Sequence, residues 1–393
     1  MHTVAVLALL NLVTPPAIAV SLLKVPFTST LMTHSSANSS AVSDPTTSTT
    51  NAVLKVVTAV QAGNNQTWQN VLVDTGSALL WVGAGTEQYA PGPYTDLIDQ
   101  TFSVGYGGSD VNGTAYVDRV TIGAATVNSQ IIGSAGFVND FTLVKPFDGI
   151  LGLGPSGSNT GEVSGYNSTA TFVENLVSQG TIQHPVFGMY VSPLAESGVF
   201  VSSGEISFGG IDETRISGDV AWLPQNQPSN FHWEFNSSSL TWGDELLTSG
   251  QIYSRTDSGE LGIGIPFDTF FSVLQSVPGA VIDLSSNLDG FLVFPGNMTV
   301  ESLPDMTIGI ANLNFTIPAS KYVVPSSLYS ALNISDSDLH TWITSGGPDF
   351  FLLGQKFLEN AYSAYDMENH REYQLVLTLW LSVMMTLHPP PSK

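Results

Sequence analysis

The sequence predicts an all-β chain arranged as two similar lobes, and three observations carry that reading. Short runs rich in branched and aromatic residues recur along the chain, each bounded by Gly, Pro, Asn or Ser. Few segments read as helices, which excludes a parallel α/β architecture. An Asp–hydroxyl–Gly turn, followed at a distance by an apolar–apolar–Gly strand, occurs twice.

Composition narrows the classes. The chain has 393 residues, 42% of them apolar, which suits one large two-lobed body. Ten Lys plus Arg stand against 33 Asp plus Glu, for a formal charge of −23. So acidic a surface excludes nucleic acid as a partner and offers no polybasic route onto an anionic membrane. It does suit acid, where protonation of carboxylates relieves self-repulsion. Cys is absent, so disulfides and thiolate chemistry are excluded. The His residues 2, 34, 184, 232, 340, 370 and 388 show no metal-ligand spacing, and neither metal nor cofactor is expected.

From the N-terminus, Val4–Val13 is an apolar run broken by Asn11, and Ala17-Ile18-Ala19 forms a small-x-small cleavage pattern. Residues 1–19 are therefore expected to be a secretory signal, too short to span a bilayer. Residues 20–50, Ser/Thr/Asn-rich from Thr33, are expected to be a propeptide or a disordered linker. Eight N-x-Ser/Thr sequons, at Asn38, Asn65, Asn112, Asn167, Asn236, Asn297, Asn314 and Asn333, fit a secreted, extracellular glycoprotein.

The body starts near Asn51. Val56–Val60, Gln69–Trp81, Ala115–Ile122, Gln130–Val138, Phe187–Val191 and Gly204–Phe208 are the expected strands. Thr171–Gln179 and Phe267–Gln275, the latter following Pro266, are the expected helices. Residues 51–219 are assigned to a first lobe and 220–371 to a second, with 372–393 an atypical apolar tail.

The repeated turn carries the chemistry. Val71-Leu72-Val73 enters Asp74-Thr75-Gly76-Ser77, and Ala78-Leu79-Leu80-Trp81 leaves it. Asp74 thus sits at the end of a buried strand, where Gly76 lets the backbone approach a partner closely. Phe147-Asp148-Gly149-Ile150-Leu151-Gly152 follows. The second copy is Thr256-Asp257-Ser258-Gly259-Glu260, followed by Phe351-Leu352-Leu353-Gly354.

These motifs resemble the pepsin-like aspartic proteases, most closely their secreted fungal branch, over about Asn51 to Arg371. Asp74–Ser77 with Trp81 matches the first active-site stretch. Tyr106-Gly107-Gly108, with Gly113 closing the hairpin, matches the substrate-covering flap. Phe147–Gly154 is a specific family string, and Leu353–Asn360 with Tyr362, Tyr365 and Asp366 matches the conserved stretch near the end of the second lobe. The resemblance implies a bilobal pepsin-like acid protease fold, its lobes related by a pseudo-two-fold axis with the active-site cleft between them. It implies a monomer that binds an extended peptide and hydrolyses it at acidic pH. Asp74 and Asp257 are then the catalytic pair, supported by Thr75, Gly76, Ser77, Trp81, Ser258, Gly259 and Glu260. Like charges about 3 Å apart cannot both ionise, so such a pair keeps one proton. Ser77 is expected to donate to Asp74, and the Tyr106 hydroxyl to reach Trp81. Asp148 is expected to be structural.

The chain departs from the pattern at the second loop. Arg255-Thr256 replace two apolar residues, and Glu260 takes the hydroxyl position matching Ser77. A third carboxylate is expected to compete for the shared proton, with Arg255 as the cation that partly neutralises it. The alternative is a catalytically impaired relative that keeps the peptide-binding cleft. After Arg371 the usual short strand gives way to Glu372-Tyr373-Gln374 and an apolar run, Leu375–Leu387. Three expectations stand for that run: an edge strand, a membrane-interface segment, or an altered gene end; membrane association is not the leading one. The flap carries Asp110 and Asn112 near its tip.

Overall fold

The structure is a computed structural model, and it describes residues 22–33, 52–107, 109–139, 147–191, 201–216, 222–226 and 231–376. The expected signal, Asn38, Gly108 of the flap and the tail beyond 376 lie outside the described residues.

The chain opens with strands β1 (Leu23–Thr33), β2 (Ala52–Ala62), β3 (Gln66–Asp74), β4 (Leu80–Val82), β5 (Asp96–Tyr106) and β6 (Ser109–Ile122). Next come β7 (Ala125–Asn139), β8 (Gly149–Gly152), helix α1 (Phe172–Ser178), β9 (Val186–Val191), β10 (Val201–Phe208) and β11 (Trp222–Pro224). The second half holds β12 (Glu234–Trp242), β13 (Glu245–Thr256), β14 (Ile263–Pro266), helix α2 (Phe267–Ser276), β15 (Val281–Ile282) and β16 (Phe291–Phe294). It ends with β17 (Met306–Ile310), β18 (Leu313–Ile317), helix α3 (Ala319–Tyr322), β19 (Leu339–Gly347), β20 (Phe350–Leu353), helix α4 (Gln355–Leu358), β21 (Ala361–Asp366) and β22 (Arg371–Val376).

Among the described residues these strands form two sheets. One has 13 strands in the order β11-β22-β21-β9-β10-β1-β2-β3-β8-β4-β7-β6-β5, the other nine in the order β15-β16-β19-β14-β20-β13-β12-β17-β18. The all-β, bilobal expectation holds, with one refinement: β21, β22 and β11, from the second half of the sequence, complete the first sheet and join the lobes.

The sequence repeat becomes a repeat of topology. In the first lobe β3 runs parallel to β8, β4 returns antiparallel to β8, and β4 pairs parallel with β7. In the second, β13 runs parallel to β20, β14 returns antiparallel to β20, and β14 pairs parallel with β19. Strands buried on both faces need continuous apolar runs, as in Val71-Leu72-Val73; in Phe351-Leu352-Leu353 the outer two are buried and Leu352 is half-buried. The Gly that closes each second motif has a packing reason. A Cβ on Gly152 would lie 2.5 Å from the Ala78 backbone, and one on Gly354 would lie 2.5 Å from the Gly262 carbonyl oxygen. Each Asp turn is thus pressed against the partner strand's end.

Several expectations change in detail. Gln69–Trp81 is not one strand: β3 ends at Asp74, the chain turns, and β4 begins at Leu80. Leu23–Thr33, within the stretch expected to be a propeptide or a disordered linker, forms strand β1 between β10 and β2, which is compatible with a propeptide. The start of the expected tail, Glu372–Val376, belongs to β22, paired with β21 and β11. Gly113 does not close the flap hairpin; it sits at a register shift where β6 packs on β7, and its Cβ would meet the Ser134 carbonyl oxygen. The start of α1 follows from a capping box. Thr171 Oγ1 accepts from the Glu174 N–H at 3.2 Å, and Glu174 Oε2 accepts from the Thr171 N–H at 2.8 Å.

Candidate active site

The two Asp turns meet face to face between the lobes. At the first, Asp74 Oδ1 accepts from the Gly76 N–H at 2.8 Å and Oδ2 accepts from Ser77 Oγ at 2.5 Å. At the second, Asp257 Oδ1 accepts from the Gly259 N–H at 2.9 Å. The loops are locked by a reciprocal contact. Thr75 N–H donates to Ser258 Oγ and Ser258 N–H donates to Thr75 Oγ1, both at 3.0 Å. Ser258 Oγ passes its own proton to the Val73 carbonyl at 2.7 Å.

The turn glycines measure how closely the carboxyls approach the opposite loop. A Cβ on Gly76 would lie 2.3 Å from Asp257 Oδ2, and one on Gly259 would lie 2.6 Å from Asp74 Oδ1. Any side chain there would displace a carboxyl group. Burial, the charge of Asp74, the charge of Glu260 and a hydrogen bond with Asp74 push the Asp257 carboxyl well above the usual carboxylate range, against a smaller opposing effect of Arg255.

The hairpin expected to be the flap brings Tyr106 near Asp74. β5 and β6 form a hairpin whose last register pair is Tyr106 with Ser109, and Gly107 lies in the turn. Trp81 Nε1 donates to Tyr106 Oη at 2.7 Å, so the expected contact is present. Burial and the nearby Asp74 charge raise the Tyr106 hydroxyl, which keeps it a neutral donor and acceptor. Behind the first turn, Asp148 Oδ2 accepts from the Asn70 N–H at 2.9 Å, while its carbonyl accepts from the N–H groups of Gly83 and Ala84. That is a bracing position, distinct from the pair.

Residues 55–373 match the family described as eukaryotic aspartyl protease. The chain belongs to that family. It is 30% identical over 331 residues to polyporopepsin of Irpex lacteus, covering 82% of this chain and 94% of that protein. Pepsin A of Bos taurus is 29% identical over 315 residues, covering 77% of this chain and 78% of that protein. The crystal structure of aspartic proteinase from Irpex lacteus superposes with a TM-score of 0.75 at 26% identity, covering 92% of this chain and 99% of that one.

For an aspartyl protease the second loop is unusual, and the structure rearranges the expectations about it. Arg255 does not neutralise Glu260; it stands opposite Glu234 on β12 and bonds it at 2.6 Å. Strand alternation sends Arg255 to one side and the buried Ser254 and Thr256 to the other. Glu260 itself is exposed, and its backbone is held by Asp257 O and the Gln355 N–H. A further cation reaches this loop, Lys55 of β2, which sequence reasoning missed. Its ammonium donates to the Gly259 carbonyl from the other lobe. A signal existed: Lys55 is one of ten basic residues and interrupts the apolar run Ala52–Val57.

Two further carboxyls were missed. Thr256, at an expected apolar position, donates from Oγ1 to Glu372 Oε1 at 2.5 Å, and Glu372 is fully buried. The two sequence departures therefore meet in the core. Glu162 lies near Asp74, and burial with the Asp74 charge pushes its carboxyl up to about 8. Its Oε2 is buried without a hydrogen-bond partner among the described residues.

Of the sequons, Asn65, Asn112, Asn167, Asn297, Asn314 and Asn333 are exposed. Asn236 is half-buried in β12, and its amide donates to Asn226 Oδ1 at 2.7 Å. Among the described residues no cluster of three or more His, Cys, Asp or Glu is placed to hold a metal ion, and no helix is long and apolar enough to cross a membrane.

Proposed function

We propose that this chain is a secreted acid endopeptidase in which Asp74 and Asp257 hold and activate one attacking water. The observation that carries the reading is the mutual approach of the two turns, each glycine facing the other loop's carboxyl. Asp74, accepting from both Ser77 and Gly76, is assigned the carboxylate role, and Asp257, held protonated by its surroundings, the acid role. Asp74 takes a proton from the water as the oxygen attacks the scissile carbonyl carbon, while Asp257 gives its proton to the carbonyl oxygen. The resulting diol collapses as Asp74 returns its proton to the amide nitrogen and the C–N bond breaks. Asp257 then recovers a proton from the diol hydroxyl. No acyl-enzyme forms. The flap, anchored by the Trp81–Tyr106 bond, closes over an extended peptide.

Glu260 supports the competing reading of a cleft that binds peptide without cleaving it, because Asp257 has no hydroxyl donor where Asp74 has Ser77. Digestion of an acid-denatured protein between about pH 2 and 6, with product ends read by mass spectrometry, separates the two. Cleavage that vanishes in Asp74→Asn supports the endopeptidase. Binding of a statine-containing inhibitor with no cleavage by the processed protein supports the alternative.

A further inference from the structure

We propose that Lys55 is a positioning residue for this reaction: it holds the second Asp loop by its Gly259 carbonyl and supplies the positive charge that balances Glu260. The proposal rests on the endopeptidase reading and explains how that reading survives a third carboxylate.

The geometry is specific. Lys55 is 5% exposed, although a lysine is seldom buried without a partner. Its ammonium crosses from β2 to the opposite lobe and donates to the Gly259 carbonyl. The N–H of the same Gly259 donates to Asp257 Oδ1 at 2.9 Å. Lys55 and Asp257 therefore grip one residue from its two polar ends. In the first loop the corresponding restraint is the Ser77 hydroxyl on Asp74 Oδ2, and Glu260 cannot supply it in ionised form. A cation placed on the loop backbone restores a restraint by a different route.

The charges agree. Glu260, Asp257 and Asp74 are the groups whose charge acts on Lys55; all three are acidic, and Glu260 has the largest influence. Burial pulls the Lys55 ammonium down, and these carboxyls oppose that pull. The other ionisable groups around the pair are Arg255, occupied by Glu234, together with His232, Glu162 and Tyr106. Lys55 is thus a buried cation set at the Gly259 carbonyl, next in sequence to Glu260 and within reach of the charges of Glu260, Asp257 and Asp74.

The test follows carbon-13 carboxyl titration of the Asp pair, alongside kcat/KM against pH, in wild type, Lys55→Met, Lys55→Arg and Lys55→Met/Glu260→Thr. Loss of the cation should move the pair's titration up by about one pH unit, and removing Glu260 as well should bring it back down by about half of that or more. Lys55→Arg should keep the wild-type titration, which a purely packing role for the stem would not ensure. An unmoved titration in Lys55→Met overturns the proposal, whether or not the wild type cleaves peptide. A shifted titration in a wild type that cleaves nothing would sink the endopeptidase reading and leave the role of Lys55 standing. Should Lys55→Met not fold, Glu260→Gln probes the same coupling from its exposed side. The nitrogen-15 titration of the Lys55 ammonium should then fall by about half a unit or more, and no change overturns the proposal.

Discussion

Thr75 and Ser258 bind each other across the lobe boundary through two hydrogen bonds of equal length, each backbone N–H reaching the other side-chain oxygen at 3.0 Å. Because Ser258 also donates to the Val73 carbonyl, both groups of its hydroxyl are spent in the buried interface. Ser258→Ala leaves the Thr75 N–H and the Val73 carbonyl without this partner, at a cost of about 1–3 kcal/mol. It should also loosen the pair and lower kcat by about tenfold or more, with a smaller change in KM. Calorimetry and steady-state kinetics check this; a variant as stable and active as wild type would show the contact to be incidental.

The flap makes a second prediction. Tyr106→Phe removes the acceptor of the Trp81 N–H, so the flap loses its anchor at closure. A neutral hydrogen bond of this kind is worth about 1 kcal/mol, and kcat/KM should fall about fivefold to tenfold. Trp81 is fully buried, so Trp81→Phe should add a packing loss visible as a lower Tm.

Glu162 gives a pH dependence whose sign can be worked out. Its folded-state carboxyl titrates at about 8 against an ordinary value of 4.5, so the folded state binds more protons between those values. Its contribution is fully present below about pH 4.5 and is lost as pH rises towards 8. Glu162→Gln should therefore match wild type near pH 4 and exceed it by a few degrees of Tm near pH 8. A Tm difference that stays constant with pH would contradict the assignment.

The Thr256–Glu372 contact joins the two places where the sequence leaves the family pattern. Thr256→Val and Glu372→Leu should each destabilise the protein by about 1–3 kcal/mol, because each leaves a buried polar group short of a partner. The double variant should recover much of that loss, since an apolar pair needs no partner. Strict additivity in the thermodynamic cycle would mean that the two residues do not act together. Recovery would also mean that Glu372 belongs to a core fitted to Thr256, which speaks against an accidental gene end at this position.

The sequence made the local pattern legible. The apolar run into Asp74 and the Ile150-Leu151-Gly152 strand are short-range signals, and their parallel pairing follows once both are buried. Helix α1 was readable from its apolar stripe, and its start is fixed within one turn by the capping box of Thr171 and Glu174. Long-range compensation was not readable. Lys55 meets Gly259 across 204 residues and Thr256 meets Glu372 across 116, so neither partner marks the other locally. Arg255 misled by adjacency: it is two residues from Asp257, yet strand alternation and a cross-strand carboxylate at Glu234 turn it away. The same blindness hid Lys55, whose ammonium reaches the loop that carries Glu260 from the opposite lobe.

In the proposed reaction Asp74 and Asp257 work as one proton-sharing unit on one water. It is tested most directly by kcat/KM for an internally quenched peptide from about pH 2 to 8 in the processed wild type and in Asp257→Asn. A proton-sharing pair gives a bell-shaped profile with its maximum in acid and a loss of about a thousandfold or more in the variant. Activity retained in Asp257→Asn, or no hydrolysis at any pH by a wild type that still binds a statine-containing inhibitor, would contradict it.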